Sequence, residues 1–581
     1  MVANKTKMGR GVVGAVVLMA CSLSQAEMEP HEALFAEKKY PSAKDCQACH
    51  PKHYEEWSVS PHAYALLSPV FNSMQATVVQ KTSGTGGDFC IRCHTPAGMS
   101  QGEPVFMSAM DRSEIAREGV TCVTCHRRAQ PYGKVNGRIA LEEGDLFAAV
   151  YGPTGGKEVQ HVIESGLFPV NAVPGREGRA IHTNAVQMPQ ITTSGFCGSC
   201  HDVTSLGGLR LEEAFSEYKA SPAARHDVSC QDCHMSLTPG IPGEFAHEPV
   251  AVVGGLTTKP RKRTNHMFVG PDYSIVHPGI FPHNPAAKEF ATIREWLEFD
   301  HRAGWGRDEF EDEVTKDHDF PERWADAFER FEARDILDES EALLKKAELA
   351  RKNLLKIAYQ LGDVHVEKAD KRGIRFSVEF KNGTTGHSVP TGFDADRLVF
   401  LSVTVRDVLG KVVFVSGDLD PNGDVRDAHS VYVHNGELKI DPFLFSLQSR
   451  FLIRMLRGGE REQVLPVNAS VDPLPFARPP THATLITGRP RGVRKHRMTI
   501  PPGTSQWADY EVTAPELKGH YGPYSAEIKI VAGMIPVNLV HAIQGVGFDF
   551  GMSAREVADA VVDGHQVLWR RVVKLKAEDR G

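Results

Sequence analysis

Cys90-Ile-Arg-Cys93-His94, Cys122-Val-Thr-Cys125-His126, Cys197-Gly-Ser-Cys200-His201 and Cys230-Gln-Asp-Cys233-His234 repeat one five-residue pattern, and Cys46-Gln-Ala-Cys49-His50 is a fifth copy. The chain has 11 cysteines, and every one except Cys21 belongs to such a pair. Two thiols three positions apart reach the two vinyl groups of one haem as thioethers, and the histidine that follows points its imidazole at the iron. Zinc ribbons also use paired Cys-x-x-Cys knuckles, but they need an even number of pairs and no histidine after each. Disulfides would consume the cysteines and leave the histidines unexplained. The pattern predicts five covalently bound haem c groups. Their thioether sites are Cys46, Cys49, Cys90, Cys93, Cys122, Cys125, Cys197, Cys200, Cys230 and Cys233, and their proximal iron ligands are His50, His94, His126, His201 and His234.

Working outward, the second and third motifs lie 32 residues apart and the fourth and fifth 33 apart, with matching surroundings. Asp88-Phe89-Cys90 corresponds to Gly195-Phe196-Cys197, and Gly119-Val120-Thr121-Cys122 to Asp227-Val228-Ser229-Cys230. A further echo sets Glu56-Trp57-Ser-Val-Ser60-Pro61-His62-Ala63 against Glu217-Tyr218-Lys-Ala-Ser221-Pro222-Ala223-Ala224. This reads as a duplicated two-haem unit with one extra haem in front. Ala223 replaces His62 in the second copy, so the local structure does not need a histidine there. That favours a special role for His62 over a mere place on a short helix.

Residues 1–26 read as an export signal: Lys5, Lys7 and Arg10, an apolar run from Gly11 to Cys21, and Ser24-Gln25-Ala26 as a cleavage site. Leu18-Met19-Ala20-Cys21 is an alternative lipoprotein site that would place a lipid anchor on Cys21. Removing the signal takes the formal charge from -7 to -10. An acidic chain argues against nucleic acid and favours basic redox partners or other cytochromes. The apolar run is too short to span a bilayer, and no later segment is long and uncharged enough for a transmembrane helix. A periplasmic or cell-surface location follows from this reading.

The chain is expected to be α+β. After the signal (1–26) come a mostly α-helical and irregular pentahaem cytochrome region (27–284), a helical connector (285–362) and an antiparallel β-sandwich with a C-terminal helix (363–581). In the connector, Pro285 to Phe299 and Pro321 to Leu361 read as helices. The second carries Trp324, Phe328 and Phe331, then Leu343, Ala347, Leu354 and Leu361, and Gly362 ends it. From 363 the period drops to two, as in Ile374, Phe376, Val378, Phe380 and in Val399, Leu401, Val403, Val405. Val412 to Val415 and Ala526, Ile528, Ile530 continue the alternation, predicting a sandwich over 363–533. A last short helix is expected over 553–566.

Cys46-x-x-Cys49-His50 followed by Trp57-x-x-Ser60-x-His62-Ala63 resembles the opening of the multihaem family that includes the tetrahaem cytochrome of ammonia oxidisers, over residues 40–270. Hydroxylamine oxidoreductase and pentahaem nitrite reductase are more distant relatives. The resemblance implies closely stacked haem pairs, with His62 as a distal iron ligand. The lysine that replaces a proximal histidine at the catalytic haem of those nitrite reductases has no counterpart here, which counts against that activity.

Of 26 histidines, 21 lie outside the five motifs, and each bis-histidine haem needs one of them. Besides His62, His266 in Arg263-Thr-Asn-His266-Met-Phe-Val-Gly270 resembles the distal-ligand segment after the last motif of related proteins. His161 and His182 lie in the 70-residue stretch between the third and fourth motifs, where a long insertion could deliver ligands. His387 sits in Asn382-Gly-Thr-Thr-Gly-His387-Ser-Val-Pro390-Thr-Gly392, whose glycines and proline set an unusual path around one imidazole. It is read either as a ligand or as a structured turn whose histidine caps a strand or binds a propionate. His53, only three positions after His50, cannot reach the far face of its own haem and is expected on the surface. The leading function is electron transfer between redox proteins. The alternative is an oxidoreductase acting on a small nitrogen or sulfur compound at one haem with an open distal site.

Overall fold

The computed structural model of the chain describes residues 39–84, 86–129, 136–137, 139–204, 210–454, 460–463 and 493–576. The export signal and Cys21 lie outside them.

The motif region is built of short helices on irregular backbone. Three of its helices, those starting at Pro61, Pro69 and Pro222, open on a capping serine hydroxyl followed by proline, which fits a first turn because its missing N–H would find no helical partner. Helix α1 spans Pro51–Ser58 and α2 spans Pro61–Tyr64, where the Ser60 hydroxyl accepts from Ala63 N. Helix α3, Pro69–Lys81, is capped in the same way by Ser68. Between the third and fourth motifs lies α4, Lys157–Glu164. A two-stranded hairpin follows the fourth motif: β1 (Val203–Thr204) pairs antiparallel with β2 (Arg210–Glu212), and α5 (Ala214–Lys219) comes next.

The connector departs from the expected pair of helices. Its first segment is broken into α6 (Pro285–Phe290) and α7 (Ile293–Glu298), because Thr292 and Glu295 form a capping box that starts a new helix. Trp324 closes a single 3-10 turn ahead of α8, Ala327–Ala358, which Asp326 caps. Phe328, expected on the buried face, is 83% exposed. The buried side of α8 instead carries Ala333, Leu337 and Leu355. Its Leu343, Ala347 and Leu354 pack on Val59, Met267 and Val269 of the motif region. The helix ends at Ala358, ahead of Gly362, because Tyr359 and Leu361 already alternate as strand residues opposite Asn382 and Phe380.

Two antiparallel sheets then face each other. One contains β3 (Tyr359–Asp370), β4 (Gly373–Asn382) and β7 (Ser505–Thr513), with β4 central. The other runs β6 (Val412–Ser416), β5 (Leu398–Arg406), β8 (Tyr524–Gly533) and β9 (Gln566–Leu575). Ile374, Phe376, Val378 and Phe380 meet Val399, Leu401, Val403, Ile528 and Ile530 in one core, the interdigitation expected of packed inner faces. Before β9 the chain leaves the sandwich. Residues 534–543 and α9 (Ala554–Asp563) enclose Val70 of α3 and Ile275, tying the C-terminal part to the motif region. Arg351 of α8 reinforces this junction by donating to Pro271 O and Gly564 O.

Candidate haem-binding site

Each motif occupies about one turn of helix, so its two thiols and its imidazole project from one short stretch; in the first and fourth motifs the histidine N–H closes on the first cysteine, His50 N to Cys46 O at 2.9 Å and His201 N to Cys197 O at 3.0 Å. The five imidazoles then differ in what holds Nδ1. His50 donates to Val250 O at 2.8 Å, His94 to Ala65 O at 2.8 Å and His126 to Tyr151 O at 2.7 Å, while His234 bonds the Val269 backbone. His201 instead meets a carboxylate, Glu212 Oε1, at 3.0 Å. An Nδ1–H engaged this way leaves the Nε2 lone pair free for a metal. Burial lowers the pKa of His50, His94, His126 and His234, the last to about 4. Burial also opposes protonation of His201, yet the Glu212 hydrogen bond and charge outweigh it and lift this pKa to about 9.

Three further imidazoles face motif histidines. The ring centres of His62 and His201 are 6.1 Å apart with planes 32° apart. Those of His126 and His266 are 6.5 Å apart at 24°, and those of His234 and His387 are 6.2 Å apart at 12°. An imidazole nitrogen lies about 2 Å from a metal it ligates and the ring centre roughly 1 Å behind it, so rings on opposite sides of one iron are about 6 Å apart. The residues present therefore fit iron between each of these pairs.

Hydrogen bonds fix two of these facing rings. His266 Nδ1 is 3.0 Å from Thr264 O, and its N–H donates to Glu56. His387 Nδ1 is 2.9 Å from Ser388 O. Around His387, Asn382 Nδ2 donates to His387 O, and Glu217 accepts from Ser388 N at 3.1 Å and Thr391 Oγ1 at 2.8 Å. Burial lowers the pKa of His62 and His266 to about 3, which keeps both rings neutral at physiological pH.

His62 is placed by the duplicated scaffold. Val120 N donates to His62 O at 2.9 Å in the first copy, and Val228 N donates to Ala223 O at 3.0 Å in the second. The residue before each valine has positive φ, +63° at Gly119 and +55° at Asp227. A Cβ on Gly119 would stand 2.5 Å from His62 O, so the first copy needs glycine there.

The remaining candidates are placed differently. His182 is half-buried beside His50, whose charge would depress its pKa; burial is the larger cause, and the value falls to about 4. His161 is exposed on α4 and has no ring contact with a motif histidine among the described residues. His94 is stacked flat on Phe71 at 3.5 Å and faces no second imidazole among the described residues. His53, expected on the surface, is half-buried, with its ring edge-on to His266 at 4.8 Å and to His50 at 5.7 Å. Its ring lies against His266 rather than in solvent. Glu212 escaped the sequence reading, because an acidic residue carries no local mark of what it will face; Glu217 was quoted there only as the counterpart of Glu56 in the repeat, without its contact.

The motifs also touch one another. The thiols of Cys46 and Cys122 are in hydrogen-bond contact, as are those of Cys93 and Cys200 and those of Cys197 and Cys230. Cys125 lies close enough to Cys200 and Cys197 to act on them electrostatically. The fourth motif is thus adjacent to the second, third and fifth.

No curated protein matches the chain. Among solved structures, a penta-heme cytochrome c552 from Thermochromatium tepidum is similar at 16% identity and a TM-score of 0.47, over 92% of this chain and 98% of that one. The family model described as "Cytochrome c554 and c-prime" matches residues 45–127, which hold the first three motifs and His62. Over that segment the chain is similar to the cytochrome c554 and c-prime family, in keeping with a multihaem c-type cytochrome.

Proposed function

We propose that the chain binds five haem c groups and carries electrons between redox proteins outside the cytoplasm. The observation that carries this reading is the set of three imidazole pairs, spaced 6.1–6.5 Å, on motifs whose thiols adjoin in series. His50 and His182 form the fourth pair in this reading. Bound haem supplies one-electron iron chemistry. The chain's part is to hold each iron between imidazoles and to keep the attachment points close enough for transfer. The contacts order the motifs as first, third, fourth and fifth, with the second joined at the fourth. Export rests on residues 1–26, and the acidic balance supports basic partners or other cytochromes.

A second reading, reaction of a small nitrogen or sulfur compound at one iron, is supported at the second motif, where no second imidazole faces His94 among the described residues. One experiment tests both. In protein matured in a host with cytochrome c assembly, pyridine haemochrome should give five haems per chain, and carbon monoxide should perturb the spectrum of at most one. Fewer than four haems contradicts the first reading, and ligand binding at several irons replaces transfer with catalysis.

A further inference from the structure

The proximal histidines of the second and fourth motifs occupy equivalent places in the duplicated unit, yet their Nδ1 partners differ in charge. In the second motif the partner is a neutral carbonyl, Ala65 O. In the fourth, the hairpin β1–β2 folds straight back after His201 and sets Val203 opposite Glu212, which brings the carboxylate to Nδ1 at 3.0 Å. Nothing in the first copy corresponds to this hairpin: His94 is followed by Thr95 and a helix beginning at Pro96. The hairpin's own cation, Arg210, is engaged by Asp202 and Ser216. Among the described residues, His201 is the one ion-pair partner of Glu212.

We infer that Glu212 tunes the fourth haem, making it the most reducing of those with two histidine ligands. The inference rests on the proposed haem-binding reading. A carboxylate accepting Nδ1–H pushes electron density through the ring onto Nε2, raising ligand basicity and favouring ferric over ferrous iron. Its fixed negative charge acts in the same direction. Reduction here adds one electron from a neighbouring haem to ferric iron, while the Nδ1 proton stays between His201 and Glu212. Because the fourth motif adjoins the second, third and fifth, the most reducing haem stands at the junction. Electrons would rest on the flanking haems and cross the junction without accumulating on it. Glu212 is a positioning and tuning residue: its carboxylate acts on the iron only through His201. Its charge also reaches Cys93 and His94, so a weaker effect of the same sign is expected at the second haem.

The test is Glu212→Gln in the full-length, haem-loaded protein, with each midpoint followed by redox titration and low-temperature electron-spin resonance. Glutamine keeps an acceptor for Nδ1–H and removes the charge. Haem content of five and a low-spin spectrum establish that the binding reading stands and that the variant is folded. The inference then expects one midpoint to rise by at least tenfold in the oxidised-to-reduced equilibrium, 59 mV for a one-electron couple. A second midpoint should rise less, and the other three by under about threefold. Glu212→Asp, which retains the charge, should restore part of the original value. Five unchanged midpoints, or a uniform shift of all five, overturns the inference. Should the glutamine variant fail to load haem, the wild type decides: the ferric signal surviving to the lowest potential should have the narrowest g-spread, as expected of a histidine with imidazolate character. A signal of ordinary bis-histidine spread in that place overturns the inference equally.

Discussion

The two copies of the duplicated unit share a scaffold and differ in what they lend to each other. In both, a serine-capped, proline-led turn carries, right after its proline, a residue whose carbonyl accepts from a valine two positions before a motif, Val120 before Cys122 and Val228 before Cys230. In the first copy that residue is His62, whose ring faces the proximal histidine of the fourth motif, in the other copy. In the second copy it is Ala223, whose backbone N–H donates to Thr385 O on the sandwich loop bearing His387. That loop serves the fifth motif. The place left by a histidine has become a seat for a segment that brings one from elsewhere. The difference teaches that a repeat can conserve backbone hydrogen bonds while the imidazoles that face its motif histidines come from different parts of the chain.

The sharpest way to break this comparison is to remove the two distal rings. His62→Ala and His387→Ala should each leave haem content near five and convert one low-spin iron to high spin, and the double variant should convert two. Optical and electron-spin spectra with and without carbon monoxide read the outcome. If either single variant keeps the parent spectrum, that ring is not a ligand. The His62 variant should keep its fold, because the second copy already makes the same backbone bond with alanine.

A smaller effect concerns the turn itself. Gly119→Ala places a methyl against His62 O at a backbone angle that L residues avoid, and should cost about 1–3 kcal/mol in denaturant unfolding while weakening the low-spin signal of the fourth haem. The matching change in the second copy, Asp227→Gly, removes strain and should stabilise by about 1 kcal/mol or less. Equal effects at both positions would mean the two turns are not equivalent.

The first copy is also clamped from the connector by His283, which bonds Ala63 O through Nε2 and stacks on Trp57. Burial lowers its pKa to about 3. A folded-state pKa below the ordinary 6.5 contributes stability above pH 6.5 that is lost as pH falls toward 3. The expected slope is on the order of 1 kcal/mol per pH unit. His283→Gln, which keeps a donor for Ala63 O, should flatten unfolding midpoints measured between pH 6.5 and 4. An unchanged slope assigns the acid sensitivity to other groups.

How much of this was legible depends on whether the signal is local. The motifs need only five residues, and the duplication needs only a second copy, so both were open to reading. The alternation of Ile374 to Phe380 announced β4, since each inward residue meets the same core. Strand β9 was hidden, because Arg570 and Arg571 interrupt its alternation. Residues 553–566 read as a helix, and α9 stops at Asp563 where this strand takes over. Phe328 fitted a helical stripe by spacing and is nonetheless exposed, because the neighbour that would cover it is absent among the described residues. His161 and His182 were equal in the sequence, and only the path of the chain separates the exposed ring from the one beside His50. Glu212 depended on a hairpin register that no short pattern encodes.

The loop holding His387 gives the chain a way to report its own completion. The ring facing His234 lies 153 positions further on, between two strands of the sandwich. That ring is held by the loop after β4, where Glu217 accepts from Ser388 and Thr391. If His387 ligates iron as proposed, a molecule cut short before residue 387 would keep every thioether site and still show one iron without its second imidazole, so the spectrum of that iron would report whether the chain was finished.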